Sequence, residues 1–190
     1  MVTHFDWTIG CIDEQLTQFG ITDNTILIVT SDHGPNPSEK DVPHDPTNGL
    51  RGDKGSLYQG GFRIPLILRY PNANYENEIL DPVNSVDIFP TICDILDINK
   101  PDGIDGQSFY NLLKGEENSK PRRIITEDGD GRIAVQESGW KYIQPEKEDK
   151  KGELYNINED FKEREDLIDQ KKHKLDHLTN IIDNLDIKSD

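Results

Sequence analysis

Apolar residues recur at Val2, Phe5, Ile9, Ile12, Leu16 and Phe19, at intervals of 3, 4, 3, 4 and 3. This is one stripe of an amphipathic helix, and Gly20 is a natural stop for it. The stripe is already running at residue 2, with no Ser, Thr, Asp or Asn ahead of it to cap the first turn. A helix that begins without a start predicts a chain cut from something longer. Thr25 to Thr30 is a short β-branched run that reads as a strand covered on both faces. It stops at Ser31-Asp32-His33-Gly34. From Pro35 to Gly61 the chain is rich in Gly, Pro, Asn and Asp and reads as a long loop with room for one helical turn. Ile64 to Tyr70 is a second strand, with Pro65 near its start, where a missing N–H does least harm. Val86 to Leu96 reads as a helix capped by Ser85 or Asp87, with Pro90 in its first turn and Ile88, Ile92, Ile95 and Leu96 as the inward stripe.

After about Pro101 the rhythm changes. Short strand-like runs follow at Arg123–Thr126, Arg132–Gln136, Trp140–Ile143 and Leu154–Ile157, separated by turns at Gly129, Gly131, Gly139 and Gly152. This is the pattern of an antiparallel meander. The tail, from about Lys171 to Leu185, reads as a helix with Leu175, Leu178, Ile182 and Leu185 on one face.

Composition narrows the function classes. The 190 residues hold 21 Lys+Arg and 37 Asp+Glu, a net charge of −16. Such a balance opposes binding to nucleic acid phosphates and to an anionic membrane surface. The longest apolar runs, Ile26–Val29 and Ile64–Leu68, are far too short to span a bilayer. Two cysteines, Cys11 and Cys93, make neither a disulfide framework nor a zinc cluster and read as packing residues. The first residues carry no pattern of an export signal.

Two segments could carry chemistry. Asp32-His33 sits at the end of an apolar strand, where ligands collect in α/β folds, and a carboxylate beside an imidazole suits a divalent metal. Taken alone, the tripeptide with Gly34 is more often an ordinary turn with a solvated Asp. The second segment is Gly49-Leu50-Arg51-Gly52-Asp53-Lys54-Gly55-Ser56-Leu57-Tyr58-Gln59-Gly60-Gly61. Glycines on both sides of Lys54 let the backbone approach a ligand, and the ammonium is a point charge for a tetrahedral oxyanion. It is not a P-loop, because no Gly-Lys-Ser/Thr opens a helix after a strand. His44 and Arg51 lie in the same long loop and are weaker candidates for contacting a substrate. Trp140 and Tyr142 read as core. The acidic turn Glu127, Asp128 and Asp130 lacks the spacing of an EF-hand loop and is assigned nothing.

Taken in order, these segments resemble the sulfatase family of the alkaline phosphatase superfamily. Asp23 through Gly34 looks like the family's strand and metal-binding turn, and Gly49 through Ile67 is similar to its second signature. Val86-Asp87-Ile88-Phe89-Pro90-Thr91, Asp105-Gly106-Gln107-Ser108 and Glu153-Leu154-Tyr155-Asn156 follow as later landmarks. The resemblance implies a sulfuric ester hydrolase whose formylglycine nucleophile is made from Cys or Ser. It implies Asp32 and His33 as metal ligands and Lys54 as the lysine on the sulfate ester. The implied ion is Ca²⁺, with Mg²⁺ or Mn²⁺ left open by a histidine in the set. The implied substrate is a sulfated small molecule or glycan.

This chain also departs from the family. Neither Cys11, followed by Ile12-Asp13, nor Cys93, followed by Asp94-Ile95, begins the family's Cys-x-Pro-x-Arg modification motif, and the paired aspartates of the metal shell and the family's upstream His and Lys on the sulfate are missing. His4 does not match that histidine, and Gln59 stands where Glu is more usual. The expectation is therefore the C-terminal portion of a sulfatase, inactive by itself, with a separate N-terminal half as its partner. Two alternatives stand beside it: a phosphodiester or phosphonate hydrolase of the same superfamily, and a non-catalytic module. The expected fold is α/β. Residues 1–120 would form a partial, mostly parallel sheet with flanking helices, and residues 121–190 a small antiparallel sheet with a C-terminal helix. In such a fragment Ile26, Ile28, Leu66 and Leu68 would lose their cover.

Overall fold

The computed structural model describes residues 2–36, 45–71, 78–116, 121–147 and 149–185. They belong to two compact units: Met1–Asp32 with Ile64–Glu76, and His33–Arg63 with Asn77–Asp190. The change of composition after Pro101 therefore lies inside the second unit.

The first unit holds helix α1 (Val2–Gln18), a 3₁₀ turn at Thr22–Asn24 and two strands, β1 (Leu27–Thr30) and β2 (Leu66–Arg69). The strands pair antiparallel, from Leu27 opposite Arg69 to Thr30 opposite Leu66. The α/β class stands, but the expected parallel neighbours are not among the described residues. The pair that this chain supplies is antiparallel, as happens within large mixed sheets. Thr30 Oγ1 donates to Pro65 O at 2.9 Å, and Arg69 pairs with Asp13 of α1. The apolar stripe of α1 forms as a helix but is not covered. No residue of α1 is buried, with Val2 81% and Phe19 74% exposed. Ile26, Ile28, Leu66 and Leu68 are half-buried rather than open, and Ile67 is exposed.

The second unit is organised around a four-stranded antiparallel sheet in the order β3 (Arg123–Glu127), β4 (Ile133–Glu137), β5 (Trp140–Ile143) and β6 (Glu153–Asn156). The meander read from the glycines is present, with shifts of about one residue at strand ends. Ser138 and Gly139, both at positive φ (50° and 78°), make the two-residue turn between Glu137 and Trp140. That backbone matches the twist of a hairpin. Strand alternation sorts the side chains into two faces. Ile133, Val135, Tyr142 and Leu154 pack on Leu178, Ile181 and Ile182 of the C-terminal helix (Lys172–Asp183). Trp140 packs against the same cluster, as expected. On the other face Ala134, Ile143, Tyr155 and Ile157 pack on Leu57 of the glycine-rich loop. That loop ends in a short helix, α2 (Gln59–Phe62), the single helical turn for which the long loop had room.

A third element, α3 (Ile88–Ile95), follows a 3₁₀ turn at Ser85–Asp87. Asp87, one of the two residues expected, stands at the N-cap of α3, but its side chain makes no capping bond to that helix and serves the preceding turn instead. Asn84 precedes the turn, and its N–H donates to the Asp87 carboxylate at 2.8 Å. The same carboxylate accepts from Gln107 N at 2.7 Å and pairs with the buried guanidinium of Arg122. Arg122 donates in addition to the carbonyls of Pro82 (2.9 Å), Ser108 (3.1 Å) and Gln107 (2.7 Å). Two landmarks of the sequence, around Asp87 and around Gln107, thus meet at one satisfied buried ion pair. A short helix α4 (Tyr110–Leu113), which the apolar pattern did not predict, follows. The C-terminal helix is α5. Cys93 is buried, in line with its reading as a core residue. No helix among the described residues is long and apolar enough to cross a membrane.

Candidate functional site

The two chemistry-bearing segments meet through their backbones. Gly34 N donates to Gly61 O at 2.8 Å, and Lys54 N donates to Pro35 O at 2.8 Å. Gly34 is buried there, and a side chain would place its Cβ 1.8 Å from the Gly60 carbonyl oxygen. Only glycine allows that approach. Lys54 lies between Gly52 and Gly55, whose φ values of 81° and 88° turn the chain sharply on either side of it. The loop is closed on itself by Ser56 N to Asp53 O (2.9 Å), Gly60 N to Arg51 O (2.7 Å) and Gly61 N to Tyr58 O (2.9 Å). Its base is buried at Leu57, Gln59, Gly60 and Gly61, while Lys54 at its apex is exposed.

His33 is half-buried, and its Nδ1 lies 2.7 Å from Gly34 O. A carbonyl only accepts, so Nδ1 carries a proton in this contact. Asp32, exposed, closes the first unit. Among the described residues, no three His, Cys, Asp or Glu side chains converge as a metal site.

Arg51, which the sequence offered as a substrate contact, is engaged in the scaffold. Its Nη1 donates to Tyr155 Oη (2.6 Å), Glu153 Oε2 (3.2 Å) and Glu163 O (3.2 Å), and its Nη2 donates to Tyr58 Oη (2.9 Å). The guanidinium stacks 3.8 Å from the Tyr58 ring centroid. Tyr58 donates to Glu153 Oε1 at 2.7 Å, and Tyr155 donates to Glu153 Oε2. Burial, and then the bond to Glu153, push the Tyr58 phenol up to about 12. The same two causes raise Tyr155. His44 lies outside the described residues. Asp128 of the acidic turn accepts from the N–H groups of Asp130 and Arg132 and from Arg132 Nε, which makes it a turn-former.

One group went unread in the sequence. Lys141 of β5 is 0% exposed and paired with Glu163, also 0% exposed. Lys141 Nζ donates to Leu57 O at 2.6 Å and lies 4.4 Å from the Phe62 ring centroid. Glu163 Oε2 accepts from Gln59 N at 2.7 Å. Burial pulls the Lys141 ammonium down to about 8, against the opposing charge of Glu163. The available signal was a lone lysine inside the apolar run Trp140–Ile143, which strand alternation obliges to find a partner.

Comparison with known proteins gives a consistent picture. A profile of the sulfatase family matches residues 1–98. A second, described as N-sulphoglucosamine sulphohydrolase, C-terminal, matches residues 51–187. The chain is 28% identical to N-acetylgalactosamine-6-O-sulfatase of Bacteroides thetaiotaomicron, over 97% of this chain and 41% of that protein. It is 30% identical to an arylsulfatase of Clostridium perfringens, over 95% of this chain and 37% of the relative. A solved structure from glycosaminoglycan metabolism in Bacteroides thetaiotaomicron superposes with a TM-score of 0.81 at 29% identity, covering 94% of this chain and 42% of the other. The phosphonate monoester hydrolase of Agrobacterium radiobacter, 21% identical, shares the fold with a TM-score of 0.67, covering 96% of this chain and 38% of its own. The chain spans about two fifths of the length of the relatives it matches. With its two signatures folded against each other, and with matches running from end to end, the chain belongs to the sulfatase family.

Proposed function

We propose that this chain carries the sulfate-facing lysine and two metal-ligand positions of a sulfuric ester hydrolase. The observation that carries the reading is the backbone joining of the His33–Pro35 turn to the Lys54 loop, which makes neighbours of the two segments that could carry the chemistry. In that role the Lys54 ammonium offsets negative charge on the transferring group and the leaving oxygen, a task for a fixed point charge rather than a forked guanidinium. The bonds that close the loop fix the backbone from which Lys54 projects. Asp32 and His33 would hold the divalent ion, Ca²⁺ by family resemblance, which supplies electrostatic stabilisation of the sulfate when bound. These two donors are fewer than the six to eight oxygen ligands that Ca²⁺ takes. The relatives' names support a sulfated sugar as substrate, N-acetylgalactosamine 6-sulfate being of the right class.

Neither Cys11 nor Cys93 begins a Cys-x-Pro-x-Arg motif, and in Ser119-Lys120-Pro121-Arg122-Arg123, which fits the serine form, Arg122 is paired with Asp87 and Arg123 with Glu137. We expect the 190-residue chain alone to turn over no aryl sulfate, because neither cysteine can become the nucleophile through that motif and the arginines of the serine string serve the scaffold. Turnover above background by the pure chain, and abolished by Lys54→Met, would contradict that expectation. The anion reading is tested separately. Inorganic sulfate should shift the NMR signals of Lys54 and its neighbours, Lys54→Met should abolish the response, and methylphosphonate should compete weakly. A stronger response to methylphosphonate than to sulfate would favour the phosphoryl-transfer alternative.

A further inference from the structure

The loop-facing side of the sheet carries charged groups that the chemistry above does not use. Two backbone groups at the base of the glycine loop, the Leu57 carbonyl and the Gln59 N–H, point at that side, and both residues are buried (2% and 3% exposed). One needs a donor and the other an acceptor, and an apolar sheet face would leave both unsatisfied. The Lys141 ammonium donates to the first and the Glu163 carboxylate accepts from the second. Their pairing leaves neither charge alone in the interior.

We propose that the buried Lys141–Glu163 pair positions the Lys54 loop, clamping its helical end on the sheet while Arg51 clamps its start. Glu163 is the common post. Its carboxylate holds Gln59 and Lys141, and its carbonyl oxygen accepts from Arg51 at 3.2 Å. Glu163 stands at φ 56°, a left-handed conformation uncommon outside glycine. A turn closed on Asp160 holds it there: Glu163 N donates to Asp160 O (3.1 Å), and the Asp160 carboxylate accepts from Arg164 N (2.6 Å) and Glu165 N (2.8 Å). Phe62 covers the ammonium from the loop side. With both ends fixed, the apex bearing Lys54 stays exposed on a held base. Lys141 and Glu163 are positioning residues, not catalytic ones. The inference rests on the role read for Lys54.

The test is amide hydrogen exchange on the full 190-residue chain without added anion. In Lys141→Met and Glu163→Gln, the Lys54, Ser56, Gly60 and Gly61 amides should lose protection by about tenfold or more, while Val135 and Tyr142 amides of the sheet stay within about twofold. Gln59→Pro isolates the contact should Lys141→Met fail to fold. It deletes the N–H that Glu163 accepts together with the side-chain bond to Gln136, at a first helical position preceded by an extended residue, where proline is tolerated. It should loosen the same four amides. Gln59→Ala keeps that N–H and loses only the side-chain bond to Gln136, so it should not. Unchanged loop protection in Gln59→Pro, or equal loss across loop and sheet, overturns the proposal. Titration with inorganic sulfate then separates the two claims. A wild-type chain that ignores sulfate sinks the Lys54 reading while leaving the exchange result intact, and loosened variants should bind sulfate more weakly than wild type.

Discussion

In α1, six apolar residues at helical spacing leave no residue buried, whereas in β5 even a lysine is completely enclosed. The first region has the stronger amphipathic pattern and the poorer cover. The second has only a four-residue strand, yet α5 and the glycine loop cover it from both sides. A periodic stripe states which face of an element would be buried. Burial itself needs a second element to supply the contacts.

Substitutions in the two regions should therefore differ widely, and the largest effect is expected at the buried charges. Arg122→Met leaves the Asp87 carboxylate enclosed with its guanidinium gone. It should cost about 3–5 kcal/mol, read by urea denaturation, and a loss under 1 kcal/mol would show that the pair is dispensable. Next comes Leu178→Ala. That residue is 0% exposed between α5 and the sheet, and its truncation should cost about 2–5 kcal/mol. A cost like that of a surface change would mean that the sheet core is not closed.

The alkaline limb should be smaller and belongs to Lys141. Its ammonium titrates near 8 when folded, against 10.5 ordinarily. Below pH 8 both states hold the proton. Between about 8 and 10.5 the unfolded chain keeps a proton that the folded chain has released, so stability should rise with pH. The rise should be of order 3 kcal/mol at most, measured as melting temperature against pH, and it should vanish in Lys141→Met. Tyr58, raised to about 12, acts in the opposite sense above pH 10, which places the optimum near that point. A flat profile from pH 8 to 10 in the wild-type chain would count against the buried ammonium. The smallest effect is expected at Phe19→Ala in the uncovered stripe, 74% exposed, within about 0.5 kcal/mol. A loss as large as that of Leu178→Ala would mean that α1 is covered in solution and would erase the contrast.

Much of the second unit was legible because its signals are local. Alternation in Ile133–Glu137, the Ser138-Gly139 turn and the Leu175–Leu178–Ile182 stripe each need only a few neighbouring residues to be read. The glycines around Lys54 were legible for the same reason. The roles of Arg51 and Glu163 were not. Arg51 looked like a loop cation free to meet a substrate, but its partners Glu153, Tyr155 and Glu163 lie more than a hundred residues away. Glu163 sits in a run of solvated-looking charges with nothing local to mark it. Asp87 was expected at the start of α3, but the partners of its carboxylate were not legible for a similar reason, since it serves Asn84, Gln107 and Arg122.

The chain alone determined its family signatures, its strands and helices, and the glycine geometry that puts Lys54 at an apex, because backbone conformation follows from neighbours in sequence. Which charges are enclosed, and which hold that apex in place, was decided only by tertiary structure. An ammonium is costly to bury or harmless at the surface according to what packs over it, and that cover comes from segments distant in the chain.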